Sequence, residues 1–206
     1  ITVGTKPGIA DYLPTPYGLT GFSAPVEQVY PSLTPFWTLA DGASYSASDG
    51  ADEIRPGADA MSLATVNSKW AKIGSPSGTN FVNGLRSEVE WRLDGRKLTR
   101  REKVIATADV SVKGWKFVIP STATSVERRT VSSVEAFDLV GESWTLQTGI
   151  EPMPDTKFRI VAAGNGPLSK GVLGAIPIHI VAERGAFTLK KGESVSWELT
   201  LELQDR

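Results

Sequence analysis

The chain has one histidine, His179, so any Ser-His-Asp system would have to use it. His179 sits in Ile176-Pro177-Ile178-His179-Ile180, where a strand would put it on the face opposite the three isoleucines. That is the place for a solvent-facing or interface residue, and no Gly-x-Ser-x-Gly elbow accompanies it. Cysteine is absent, which removes disulfides, thiolate chemistry and Cys-type zinc sites together. Glu88 and Glu90 would stand on one face of a strand, roughly 7 Å apart, a separation usable by a glycosidase pair. Arg86 and Arg92 flank them, however, so a cross-strand charge ladder on a wet face accounts for all four residues. No catalytic residue is expected, and the chain is not expected to be an enzyme.

Three further clusters could bind rather than react. Asp41, Asp49, Asp52 and Glu53, with Ser44, Ser46 and Ser48 between, form an oxygen-rich stretch of the kind calcium uses. Their spacing is not that of an EF-hand, and a soluble turn-rich loop is the simpler expectation; a structural calcium is the only cofactor the sequence suggests. Arg96, Lys97, Arg100, Arg101 and Lys103 make the densest basic run, a candidate for nucleic-acid contact or for an exposed edge strand protected by its charges. The stretch Gly164-Asn165-Gly166-Pro167-Leu168-Ser169-Lys170-Gly171 lacks the Gly-Lys-Ser/Thr ending of a phosphate loop and reads as a strand connection. Of the six tryptophans, Trp91 and Trp197 fall on apolar strand faces and are expected in the core, whereas an exposed coplanar pair among Trp37, Trp70, Trp115 and Trp144 would form a sugar-stacking platform.

The elements that must position these residues are mostly strands. In Leu85–Leu93 the apolar Leu85, Val89, Trp91 and Leu93 alternate with Arg86, Glu88, Glu90 and Arg92, and the turn dipeptide Asp94-Gly95 follows. The same period of two runs through 194–203, and further strands are expected over 104–112, 115–119, 131–140, 143–148, 158–162 and 176–182. One short helix is expected near 60–73, from Asp59 as N-cap through Leu63, Val66, Trp70 and Ile73 to Gly74. Residues 1–57 are studded with seven prolines yet rich in aromatic and aliphatic side chains, which predicts an extended arm lying on another surface. The remainder, 58–206, is expected to be one all-β domain, an antiparallel sandwich of about eight strands.

With 206 residues, 40% hydrophobic and 22% charged, the chain is long enough for one large core. No run approaches a membrane helix, and membrane insertion is not expected. The start at Ile1 has neither an initiator methionine nor a signal peptide, which suggests a beginning inside a longer product. The formal net charge is −1, and residues 85–130, with 11 basic and 6 acidic side chains, are only mildly basic.

In layout (extended arm, about eight antiparallel strands, long loops, no active site) the chain resembles the small jelly-roll coat proteins of simple viruses. The resemblance covers the arrangement and no motif, and the strongly basic arm common in that family has no counterpart here. It implies a self-assembling virion subunit that contacts other copies through the arm and viral nucleic acid through the basic run. The alternatives are a secreted β-sandwich binding module for glycans or another surface ligand, and a phage tail or decoration protein.

Overall fold

The computed structural model describes residues 33–47, 51–57, 61–72, 80–121, 123–131, 134–141, 143–162 and 178–205. Residues 1–32, Asp49, Asp59, Ile73, Gly74, residues 163–177 and the side chain of His179 lie outside the described residues. In chain order the strands begin with β1 (Phe36–Leu39), β2 (Ser44–Ser46), β3 (Glu53–Pro56), β4 (Ser62–Asn67), β5 (Trp70–Lys72) and β6 (Asn80–Phe81). The long strands follow: β7 (Leu85–Asp94), β8 (Lys97–Ala106), β9 (Val110–Ser121), β10 (Ser125–Val131), β11 (Val134–Val140) and β12 (Trp144–Glu151). The last four are β13 (Lys157–Ala162), β14 (Ile178–Arg184), β15 (Phe187–Leu189) and β16 (Ser194–Asp205).

These strands form two antiparallel sheets of eight strands each, twice the strand number expected from the sequence. The first runs β13-β14-β9-β1-β2-β5-β6, with β15 also on β9; the second runs β10-β11-β12-β16-β8-β7-β4-β3. The sheets pack through aromatic side chains. Trp197 of the second sheet meets Phe117 of the first at 4.4 Å between ring centres and Trp115 at 5.9 Å, while within the first sheet Trp37 meets Trp70 edge-on at 5.9 Å. Such edge-to-face and tilted contacts suit the quadrupole of aromatic rings and add to the burial of large apolar areas. Trp91 and Trp197 are core residues, as expected, and so are Trp37, Trp70 and Trp115. Trp144 is half-buried, so no stacking platform of exposed tryptophans exists among the described residues.

The helix expected near 60–73 is not there. Its place is taken by β4 and β5, joined at Ser68-Lys69, with β4 in the second sheet and β5 in the first. The spacing of Leu63, Val66 and Trp70 imitates a helical stripe, but it arises from a strand, a corner and a strand. Within β4, Leu63 and Val66 point to opposite faces, as an odd separation requires. The β-branched Thr65 and Val66 favour the extended form, and Asn67-Ser68 supplies the break. Asp52 holds the corner by accepting hydrogen bonds from the amide and hydroxyl of Ser68.

Two other expectations change in detail. The stretch 104–112 is divided at Thr107-Ala108-Asp109, where the chain leaves β8 for β9 in the other sheet. The hairpin after β7 has Gly95 and Arg96 as its two loop residues, with Asp94 and Lys97 paired below them. Gly95 takes φ 55° and Arg96 stays at negative φ, the pattern of a turn that needs glycine at its first central position. The described part of 1–57 is built into the sheets. Phe36 and Trp37, buried just after Pro35, belong to β1, which lies between β9 and β2.

Candidate binding groove on the second sheet

β8 lies between β7 and β16, so the basic run is an interior strand and not the exposed edge that its charges suggested. Its side chains part by the period of two. Leu98, Arg100, Glu102 and Val104 point inward and are buried; Lys97, Arg101 and Lys103 point outward and are exposed. Arg100 is therefore not on the basic surface. Its guanidinium lies 4.5 Å from the centre of the Trp197 ring and 5.2 Å from that of Trp91, and Nη1 donates to Glu102 at 2.9 Å. Glu102 also accepts from the Ser87 hydroxyl and, at 2.9 Å, from Trp197 Nε1. Three donors on one carboxylate and two aromatic faces on one guanidinium offset much of the desolvation cost of burying the pair.

On the outer face, register brings charges of opposite sign together. Arg101 stands opposite Glu90 of β7 and Glu198 of β16, and its Nε donates to Glu198 at 2.5 Å. The hydrogen bond it donates to Glu198 is the first reason the Arg101 guanidinium holds its proton more tightly than usual; Glu90 and Glu151 add charge at longer range. Lys103 faces Glu88 and Ser196, and Lys97 faces Asp94 and Glu202. Arg86 pairs with Glu88 at 3.1 Å. Arg96, in the hairpin loop, is tied to Asp205 at 2.5 Å. The ladder expected for Glu88 and Glu90 thus exists, and it extends across three strands, β7, β8 and β16.

This outer face is hollowed. A cleft of about 630 Å³ runs from Arg55 over Glu88, Glu90, Arg101 and Lys103 to Glu198, with Glu151, Pro152 and Pro154 as its far wall. A second depression of about 260 Å³ continues toward the hairpin over Arg92, Asp94, Lys97 and Thr99, and it shares Glu90, Arg101 and Glu198 with the first. The larger volume lies within the range of small-ligand sites. The sequence marked the β7 and β8 members of this groove. It did not reveal that Arg55, Glu151 and Glu198, from three distant strands, would join them. The polar face of 194–203 was visible, and its complementarity to the basic run was the one available signal.

The oxygen-rich stretch divides into separate tasks. Asp41 accepts from the Ala43 amide at 3.0 Å and the Tyr45 hydroxyl at 2.8 Å, and these bonds hold its carboxyl below the usual range. Burial alone would raise the Asp52 carboxyl, but the hydroxyl and amide of Ser68 bring it below its ordinary value. Glu53 is gripped at both oxygens by Arg55, which lowers its carboxyl too. Among the described residues no group of three or more acidic or imidazole side chains is placed to hold a metal ion.

No protein-family model matches the chain, and no curated protein matches it. Solved structures do. A polysaccharide lyase superposes with a TM-score of 0.50 and 12% identity, over 84% of this chain and 26% of that one. The heparan sulfate lyase HepC from Pedobacter heparinus gives a TM-score of 0.50 and 9% identity, over 86% and 25%. The chain therefore spans about a quarter of the length of either lyase, and at these identities the likeness is one of fold.

Proposed function

We propose that this protein is a carbohydrate-binding β-sandwich that receives a glycan on the outer face of its second sheet. The observation that carries this reading is the groove itself, a concave, open surface in which hydrogen-bond donors and acceptors are fixed by cross-strand pairing. A sheet holds such side chains more rigidly than a loop does, and rigid placement lowers the entropy lost on binding. The two sandwich-containing lyases are named for polysaccharide substrates, which supports the same class of ligand. The coat-subunit role and its jelly-roll form rested on layout alone. The basic run was to have carried genome contact, but it loses Arg100 to the interior and has carboxylates beside its outward members.

The test is affinity electrophoresis in gels containing soluble polysaccharides, alongside light scattering of the purified protein. Retardation by a glycan, reduced in an Arg101→Ala variant that migrates normally in a plain gel, is the expected result, together with a 22.1 kDa monomer. Shells or tubes that form without any glycan affinity would overturn the proposal in favour of the coat subunit.

A further inference from the structure

Resting on that reading, we infer that the groove takes a neutral, linear oligosaccharide, recognised by hydrogen bonds to its hydroxyl groups, and rejects polyanionic chains. The charge balance is the first reason. Arg101 is in contact with Glu198 and stands beside Glu90, with Glu151 also near enough to act on it, so three carboxylates surround one guanidinium. Arg55 is occupied at Nε and Nη2 by the two oxygens of Glu53. Lys103 and Lys97 stand opposite Glu88 and Asp94, so a sulfate or uronate entering here would meet a carboxylate beside every cation, and like charges at such range repel.

Hydroxyl chemistry is the second reason. A sugar hydroxyl donates one hydrogen bond and accepts others, so it needs carboxylate and guanidinium or ammonium side by side. Each cross-strand pair in the groove supplies that combination: Glu90 with Arg101, Glu88 with Lys103, and Asp94 with Lys97. The apolar lining is Ala64, Val66, Val89, Pro152, Pro154 and Trp197, and Trp197 is buried with its indole nitrogen bonded to Glu102, so it offers no exposed face for a sugar to stack on. The length of the site is the third reason. Lys97 and Lys103 mark its two ends along β8, and six residues of strand cover roughly 20 Å. A single sugar would fill only part of that span.

The experiment is isothermal titration calorimetry of the chain with three probes: a neutral xylo- or gluco-oligosaccharide series, a sulfated heparin oligosaccharide, and a chitosan oligosaccharide. Each is measured at low and high sodium chloride. The neutral series should bind, tighten with chain length, and change affinity less than about twofold with salt, because screening acts on charged ligands. Glu90→Gln and Arg101→Ala should each weaken it by about tenfold, the effect of losing one hydrogen bond to a charged group. Circular dichroism of both variants confirms that the sheets remain. Preference for heparin or chitosan, with affinity falling steeply in salt, would overturn the neutral-ligand inference and leave glycan binding standing. Absence of heat with all three probes would overturn both.

Discussion

Arg100 and Arg101 are neighbours in the chain, carry the same charge and each hold a glutamate, yet their side chains lie on opposite faces of the second sheet. Arg100 and Glu102 have side chains 2% and 0% exposed, enclosed by Trp91, Trp197 and Ser87. Arg101 is 65% exposed and reaches Glu198 across the water-facing surface. One residue of strand, a rotation to the other face, turns a surface ion pair into a core one. The difference in solvent decides what each pair can do. Inside, breaking the pair strands a charge in a medium that cannot solvate it; outside, water replaces the lost partner and the freed groups remain available to a ligand.

The largest expected effect is on the inner pair. Glu102→Ala leaves the Arg100 guanidinium buried, with its Nε already lacking a partner, and should destabilise the protein by about 3–5 kcal/mol. The midpoint of urea unfolding reads this directly. Replacing both residues, as Arg100→Met with Glu102→Leu, should restore most of the loss or exceed the parent stability, since an apolar pair leaves no orphaned charge. A double variant as unstable as Glu102→Ala would mean that Ser87 and Trp197 depend on the carboxylate more than Arg100 does.

The outer pair should respond differently. Arg101→Ala or Glu198→Ala is expected to change unfolding free energy by less than about 1 kcal/mol, while weakening glycan affinity. A loss of several kcal/mol from either would erase the contrast between the two faces. The smallest effect expected is a pH dependence at the β8–β9 corner. The amide of Lys191 first, and the ammonium of Lys190 next, hold the Asp109 carboxyl below its ordinary value. A carboxyl depressed in the folded state adds stability above its unfolded pKa and loses it as pH falls through the folded one. Asp109→Asn should therefore be slightly less stable at neutral pH and show a shallower acid limb in thermal unfolding between about pH 5 and pH 2.

Much of the second sheet could be read in advance. The alternation in β7 and β16 names the buried and wet faces correctly except at the strand ends, where Leu93 and Leu203 are exposed, because a period of two is a local property of an extended chain. The β4–β5 region misled for the reverse reason. Its apolar spacing was produced by a change of sheet, and a corner held by Asp52 from elsewhere in the chain leaves no local mark. Arg100 misled in a similar way. Within a run of basic residues it looks like one more surface charge, although its parity places it with Leu98 and Val104.

The amino-acid order alone determined that this is a strand-built chain without cysteine, with a single imidazole and with ladders of paired charge, since each of these is written in composition or in contacts between near neighbours. Only the tertiary structure decided that β8 is an interior strand, that β16 brings Glu198 to Arg101 and Trp197 to Glu102, and that the outer face is hollow. Strand order and register arise from which faces bury the most apolar surface together, a property of the whole chain that no short window contains.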